Sequence, residues 1–110
     1  MRSRIISILI SHISILINMY LEIVSPEATL FSGDVTAVTL PGVNGEFQML
    51  ENHAPIVSLL QAGNVKLQGD ITIDEDFEDK FSKGNNGETV LAITSGTVEM
   101  KDNKVIVLAD

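Results

Sequence analysis

Three groups of residues in this chain carry side chains that chemistry can use. The stretch PGVNGEFQMLENHAP, residues 41–55, sets Gly42 and Gly45 three apart, places Glu46 directly after them and His53 eight positions beyond Gly45. A glycine pair can cradle a phosphate, and a carboxylate with a histidine can move a proton or hold a metal. The run DITIDEDFED, residues 70–79, holds six carboxylates and is a candidate cation site. Met100-Lys101, beside a turn signal, offers an amine to which a prosthetic group can be attached.

None of the three patterns completes its chemistry. A phosphate loop of the Walker type needs G-x-x-x-x-G-K-[ST] leading into a helix, and a dinucleotide fingerprint needs G-x-G-x-x-G between strand and helix. Here the glycines lie between two strand patterns and no lysine follows, so turn geometry is the better reading. His53 has no second histidine between residues 19 and 110 and no cysteine to complete a zinc set. It reads as a structural or partner-facing residue. The acidic run lacks the glycine of an EF-hand loop and reads as a solvated loop. Lys101 is followed by Asp102 where a biotin or lipoyl carrier motif has a second methionine, so a carrier domain stays a secondary reading. A free-standing binding module with the acidic loop as its site is another. No catalytic residue, cofactor or metal is expected.

The elements that must position these residues are strands. MYLEIV puts Leu21 and Ile23 on one face and Tyr20, Glu22 and Val24 on the other. ATLF reads as a short strand ended by Ser32-Gly33, and DVTAVTL as one that alternates from Asp34 to Leu40. Pro41-Gly42 and Asn44-Gly45 are turn dipeptides ahead of the strand GEFQML. Glu51-Asn52-His53 turns the chain, and Pro55 opens the apolar run IVSLL, bounded too closely by Gly63 for a packed helix. NVKLQ, the two strands of TVLAITSGTVEM, a tight turn at Asp102-Asn103 and KVIVLAD complete the series, with a loop over residues 83–87. Many short strands between regular turn signals, with no amphipathic helix, predict an all-β fold: a two-sheet antiparallel β-sandwich of about ten strands.

The 110 residues suffice for one domain with a real core. A formal charge of −8 argues against nucleic acid, whose phosphates this surface repels. The absence of cysteine excludes a disulfide framework and a thiolate nucleophile. Residues 1–18, MRSRIISILISHISILIN, do not share the strand pattern. Their apolar part, residues 5–17, spans only about 20 Å as a helix, short of a bilayer core of about 30 Å, and no small-x-small cleavage pattern precedes Met19. An export or anchor signal, an extra amphipathic element, and sequence upstream of a true start at Met19 are the alternatives. The last fits best, because the strand pattern begins cleanly at Met19. The chain divides into this extension, 1–18, and one domain, 19–110.

LEIVSPEATLFSG, LPGVNGEFQMLENHAP and ITSGTVEMKDNKVIVLAD, in this order and spacing, resemble the N-terminal domain of the epsilon subunit of F-type ATP synthases, called delta in mitochondria. The likeness spans residues 19–110 and leaves out the extension. It implies a β-sandwich at the foot of the central stalk, packed against the gamma subunit and touching the polar loops of the membrane ring of c subunits. Such a subunit turns with the rotor and couples the ring to gamma without doing chemistry itself. It would lie peripherally at the cytoplasmic face of the bacterial inner membrane. The resemblance makes Gly42, Gly45, Glu46, His53 and Pro55 candidate contacts to the ring or gamma, with Glu46 facing the ring and His53 near that surface.

Three departures from the family pattern stand out. Gln48-Met49-Leu50-Glu51 replaces the usual G-V-L-P, and Ser95-Gly96-Thr97 the usual Ser-Gly-Gly. The two-helix C-terminal domain that many bacterial members carry has no counterpart before Asp110, so neither its inhibition of hydrolysis nor its ATP binding is expected of these residues. The acidic segment looks longer than the usual hairpin and is assigned no role.

Overall fold

The computed structural model describes residues 18–110. The readings offered for the N-terminal extension, 1–18, fall on residues 1–17 and lie outside the described residues, of which Asn18 is the first. Ten strands follow one another: β1 Met19–Val24, β2 Thr29–Val35, β3 Ala37–Gly42, β4 Gly45–Leu50, β5 Ile56–Leu60, β6 Gly63–Gln68, β7 Phe81–Lys83, β8 Thr89–Ile93, β9 Gly96–Lys101 and β10 Lys104–Ala109. A single 3-10 turn, Glu78–Lys80, is the one helical piece among the described residues. The fold is all-β, as the alternation predicts.

The strands pair in the order β2-β1-β10-β9-β5-β3-β6-β8-β7, with β4 on the other side of β3. At the middle of this path β5 and β3 share only one pair, Leu60 with Gly42. There the ribbon folds over into two five-stranded layers. Met19, Leu21, Ile23, Val98, Met100, Val105 and Val107 come from one layer, and Val38, Leu40, Met49, Val65 and Leu67 from the other. All are buried in one cluster. Each such side chain contributes about 1.5–3 kcal/mol relative to exposure. In β1 and β10 the buried residues fall at every second position, so one face of each strand enters that core.

The structure departs from the sequence reading in four places. Ser32-Gly33 does not end a strand: β2 continues to Val35, because Gly33, Asp34 and Val35 stay paired with Leu21, Tyr20 and Met19 of β1, and the Phe31 ring lies over Gly33. DVTAVTL is not one strand. It breaks at Thr36, where the chain leaves one layer for the other, and Ala37 and Val38 are consequently both buried. Pro41-Gly42 ends β3, and the turn itself is Val43-Asn44. A Cβ on Gly42 would stand 2.8 Å from the Gly45 carbonyl oxygen and 2.8 Å from the Phe47 ring, so close approach makes glycine necessary there. Finally, the layers are not wholly antiparallel. β1 and β10 run parallel, from Tyr20 beside Lys104 to Val24 beside Leu108.

The acidic segment has a structural place. Asp74 Oδ1 accepts from the Asp76 N–H (2.9 Å) and the Asp74 carbonyl from the Phe77 N–H (2.9 Å), which closes a turn. Ile71, Ile73 and Phe77 pack against the core while Asp74, Glu75, Asp76, Glu78 and Asp79 stay exposed. The segment lines one groove with Phe81, Ser82 and Thr89 and another with Leu30, Phe31 and Ser32. It therefore crosses the open side of the sandwich, between the edge strands β2 and β7, opposite the β5–β3 seam.

Candidate docking surface

The β3–β4 hairpin presents Gly42, Gly45 and Glu46 at its tip. Gly42 and Gly45 form its last pair, and Gly45 sits at φ 122°, a left-handed conformation that side chains disfavour. Val43 and Asn44 are exposed. Glu46 stands opposite Pro41, and its Oε2 lies 3.4 Å from Lys66 Nζ on β6. Both side chains are partly exposed, so this pair contributes roughly 0.2–1 kcal/mol and yields readily to another cation. Lys66 is twenty positions away in sequence and carries no local signal that would have linked it to Glu46.

His53 and Pro55 lie beyond the other end of β4. The strand rises about 17 Å between Gly45 and Leu50, so Glu46 and His53 lie at opposite ends of β4. The expected turn is present: the His53 N–H donates to the Leu50 carbonyl (3.2 Å) and Asn52 is left-handed at φ 58°. The Ala54 carbonyl can only accept, so His53 Nδ1 donates to it (2.8 Å) and fixes the ring. The structure thus brings Gly42, Gly45 and Glu46 together and sets His53 and Pro55 apart from them.

Between these two ends lies a surface that sequence reasoning missed. β5 is apolar on its outer face: Val57 is 76% and Leu59 62% exposed, whereas Ser58 points inward. Leu59 pairs with Thr97 of β9, Thr97 with Leu108 of β10, and Leu108 with Val24 of β1. Leu108 is 51% exposed, and Val24 and Ile106 are half-buried. The result is an apolar stripe on β5, β10 and β1, crossed at β9 by Thr97 and, between Val57 and Ile106, by the exposed Glu99. Tyr20, with Lys104 Nζ 5.5 Å from its ring centroid and its hydroxyl bonded to Ser32, borders it. The run IVSLL reads in sequence as a strand, and so short an apolar run carries no period that marks which face is bare.

Lys101 is exposed at the β9–β10 hairpin, one residue before its tip. Asp102 and Asn103 form that tip with φ 53° and 62°, the paired left-handed geometry of a two-residue hairpin loop. Among the described residues no three His, Cys, Asp or Glu side chains cluster as metal ligands.

Residues 18–110 match the family model described as ATP synthase, Delta/Epsilon chain, beta-sandwich domain. The chain is 41% identical over 92 residues to the ATP synthase epsilon chain of Campylobacter curvus, covering 84% of this chain and 60% of that protein. It is 36% identical over 90 residues to the epsilon chain of Chlorobaculum tepidum, covering 82% of this chain and 86% of that one. It thus spans about three fifths of the length of the Campylobacter relative. Among solved structures, a chain of the Tetrahymena thermophila mitochondrial ATP synthase central stalk and c ring superposes with TM-score 0.60 at 14% identity, over 83% of this chain and 62% of that one. A chain of the Euglena gracilis mitochondrial ATP synthase superposes with TM-score 0.64 at 18% identity, over 84% and 50%. At such identities these two speak for the fold alone; the sequence matches carry the assignment, and by them this chain belongs to the ATP synthase delta/epsilon family.

Proposed function

We propose that this chain is a non-catalytic central-stalk subunit of a proton-translocating F-type ATP synthase, coupling rotation of the c ring to the gamma subunit. One observation carries the reading: Val57 and Leu59 of β5 and Leu108 of β10 are apolar and outward-facing, on strands whose opposite faces already supply Leu60, Val105 and Val107 to the core. A monomer gains nothing from large apolar side chains on that second face, whereas a covered face uses them. Gamma is the partner proposed for the stripe and for His53 and Pro55 at its upper end. The hairpin tip, Gly42, Gly45 and Glu46, is proposed to face the basic loops of the c ring. There Glu46 exchanges Lys66 for a ring cation and orients docking more than it tightens it. No helix among the described residues is long and apolar enough to cross a membrane, and attachment through the complex at the cytoplasmic face is the proposed location.

Co-purification with gamma tests the reading. Leu59→Lys places a charge in the stripe without touching the core and should weaken gamma binding by about 2 kcal/mol or more, roughly thirtyfold. Binding unchanged from the parent defeats the assignment of this face. Glu46→Lys should lower ATP synthesis per proton gradient in membranes that carry it, while its melting temperature stays close to the parent's. Full coupling in those membranes removes Glu46 from the ring contact.

A further inference from the structure

Asn103 does more than turn a hairpin. Its side-chain amide is used at both ends: Oδ1 accepts from the Asn52 N–H (2.8 Å) and Nδ2 donates to the Asn18 carbonyl (2.8 Å). Its own carbonyl accepts from the Tyr20 N–H (3.1 Å). One residue therefore joins three separate segments: the entry to β1, the β9–β10 turn and the β4–β5 loop. The amide orientation is fixed by chemistry, since reversing it would set NH2 against an N–H and oxygen against a carbonyl. Within the β4–β5 turn the Asn52 N–H faces Asn103 in place of a strand partner. The next residue is His53, and Pro55 leads directly into Val57 and Leu59.

We infer that Asn103 is a positioning residue for docking: its side chain holds the Asn52–Pro55 loop in register with the β9–β10 hairpin, so that His53 and the apolar stripe form one rigid surface before a partner arrives. This rests on the proposed docking of that surface to gamma. A clasp of this kind acts by removing loop freedom that binding would otherwise have to remove. It touches no partner itself. The left-handed φ of 62° means that glycine preserves the turn while deleting the clasp, which separates the two roles of the residue. Aspartate keeps the acceptor for Asn52 but sets a carboxylate oxygen against the Asn18 carbonyl.

The test uses the full chain and the gamma subunit of the same organism. Asn103→Gly should bind gamma about five- to tenfold more weakly, with the loss in the association step that selects the ordered loop. Its melting temperature should remain within a few degrees of the parent's, because the turn is intact. Hydrogen exchange should lose protection at Asn52 and His53 and keep it at Met100 and Val105. Asn103→Asp, which keeps the acceptor for Asn52, should retain protection at Asn52 and bind gamma more tightly than Asn103→Gly. In the unmodified chain, an Asn52 amide exchanging at the rate of an unstructured peptide overturns the clasp without any variant. Asn103→Gly binding as tightly as the parent, while His53→Ala and Leu59→Lys bind poorly, overturns the positioning role and leaves the docking surface standing. If His53→Ala and Leu59→Lys bind normally, the docking reading falls and takes this inference with it.

Discussion

At the scale of single residues, much of what holds the proposed surface is backbone geometry. Gly42 leaves no room for a methyl group, with the Gly45 carbonyl oxygen and the Phe47 ring both 2.8 Å from its would-be Cβ. The ring can shift but the carbonyl cannot, so Gly42→Ala should destabilise the domain by about 1–3 kcal/mol, read from urea denaturation. The glycine was recognisable in sequence as turn chemistry, yet its reason was not. It serves close packing within a strand, while Gly45 alone takes the left-handed turn conformation. The Glu46–Lys66 pair and the Asn103 clasp were likewise invisible. Each links positions far apart in sequence by contacts that only the pairing register creates.

At the scale of elements, alternation was a sound guide where one face meets the core and the other meets water. β1 could be drawn from MYLEIV for that reason, whereas KVIVLAD, apolar at five successive positions, was readable as a strand but not as to which face is buried. It failed at Thr36, because a strand that changes layers buries neighbours on both sides of the bend. It failed at β7, three residues long and too short to display a period. The acidic segment was legible only as charge. Its apolar residues, Ile71, Ile73 and Phe77, are what fasten it across the gap between β2 and β7. Exposed strand edges pair with other chains unless they are covered or charged. Replacing residues 70–80 with a short Gly-Ser turn should therefore uncover Leu30 and Phe31 and produce concentration-dependent association in sedimentation. A monomer of unchanged stability would show that the strap protects nothing.

At the scale of the whole molecule, the two layers share one core and one pinched seam, Gly42 with Leu60. A common core should make them melt together. Tyr20, the single tyrosine in a chain without tryptophan, reports on one layer. A fluorinated Phe47 would report on the other. Their thermal transitions should coincide, and Leu67→Ala, in the second layer, should lower both midpoints through a loss of about 2–5 kcal/mol. Separate midpoints would mean that the layers are independent bodies, which could not carry torque between them.

The parallel contact between β1 and β10 has a mechanical consequence. Asn18 enters at one end of the pair and Asp110 leaves at the other, so tension applied at these two positions slides the strands along each other. The ladder is then loaded in shear, with all its bonds resisting at once. Tension at residues 97 and 108, which face each other across β9 and β10, peels that hairpin one bond at a time. In an optical trap the first geometry should rupture at the higher force. The domain is strongest against tension directed along β1 and β10.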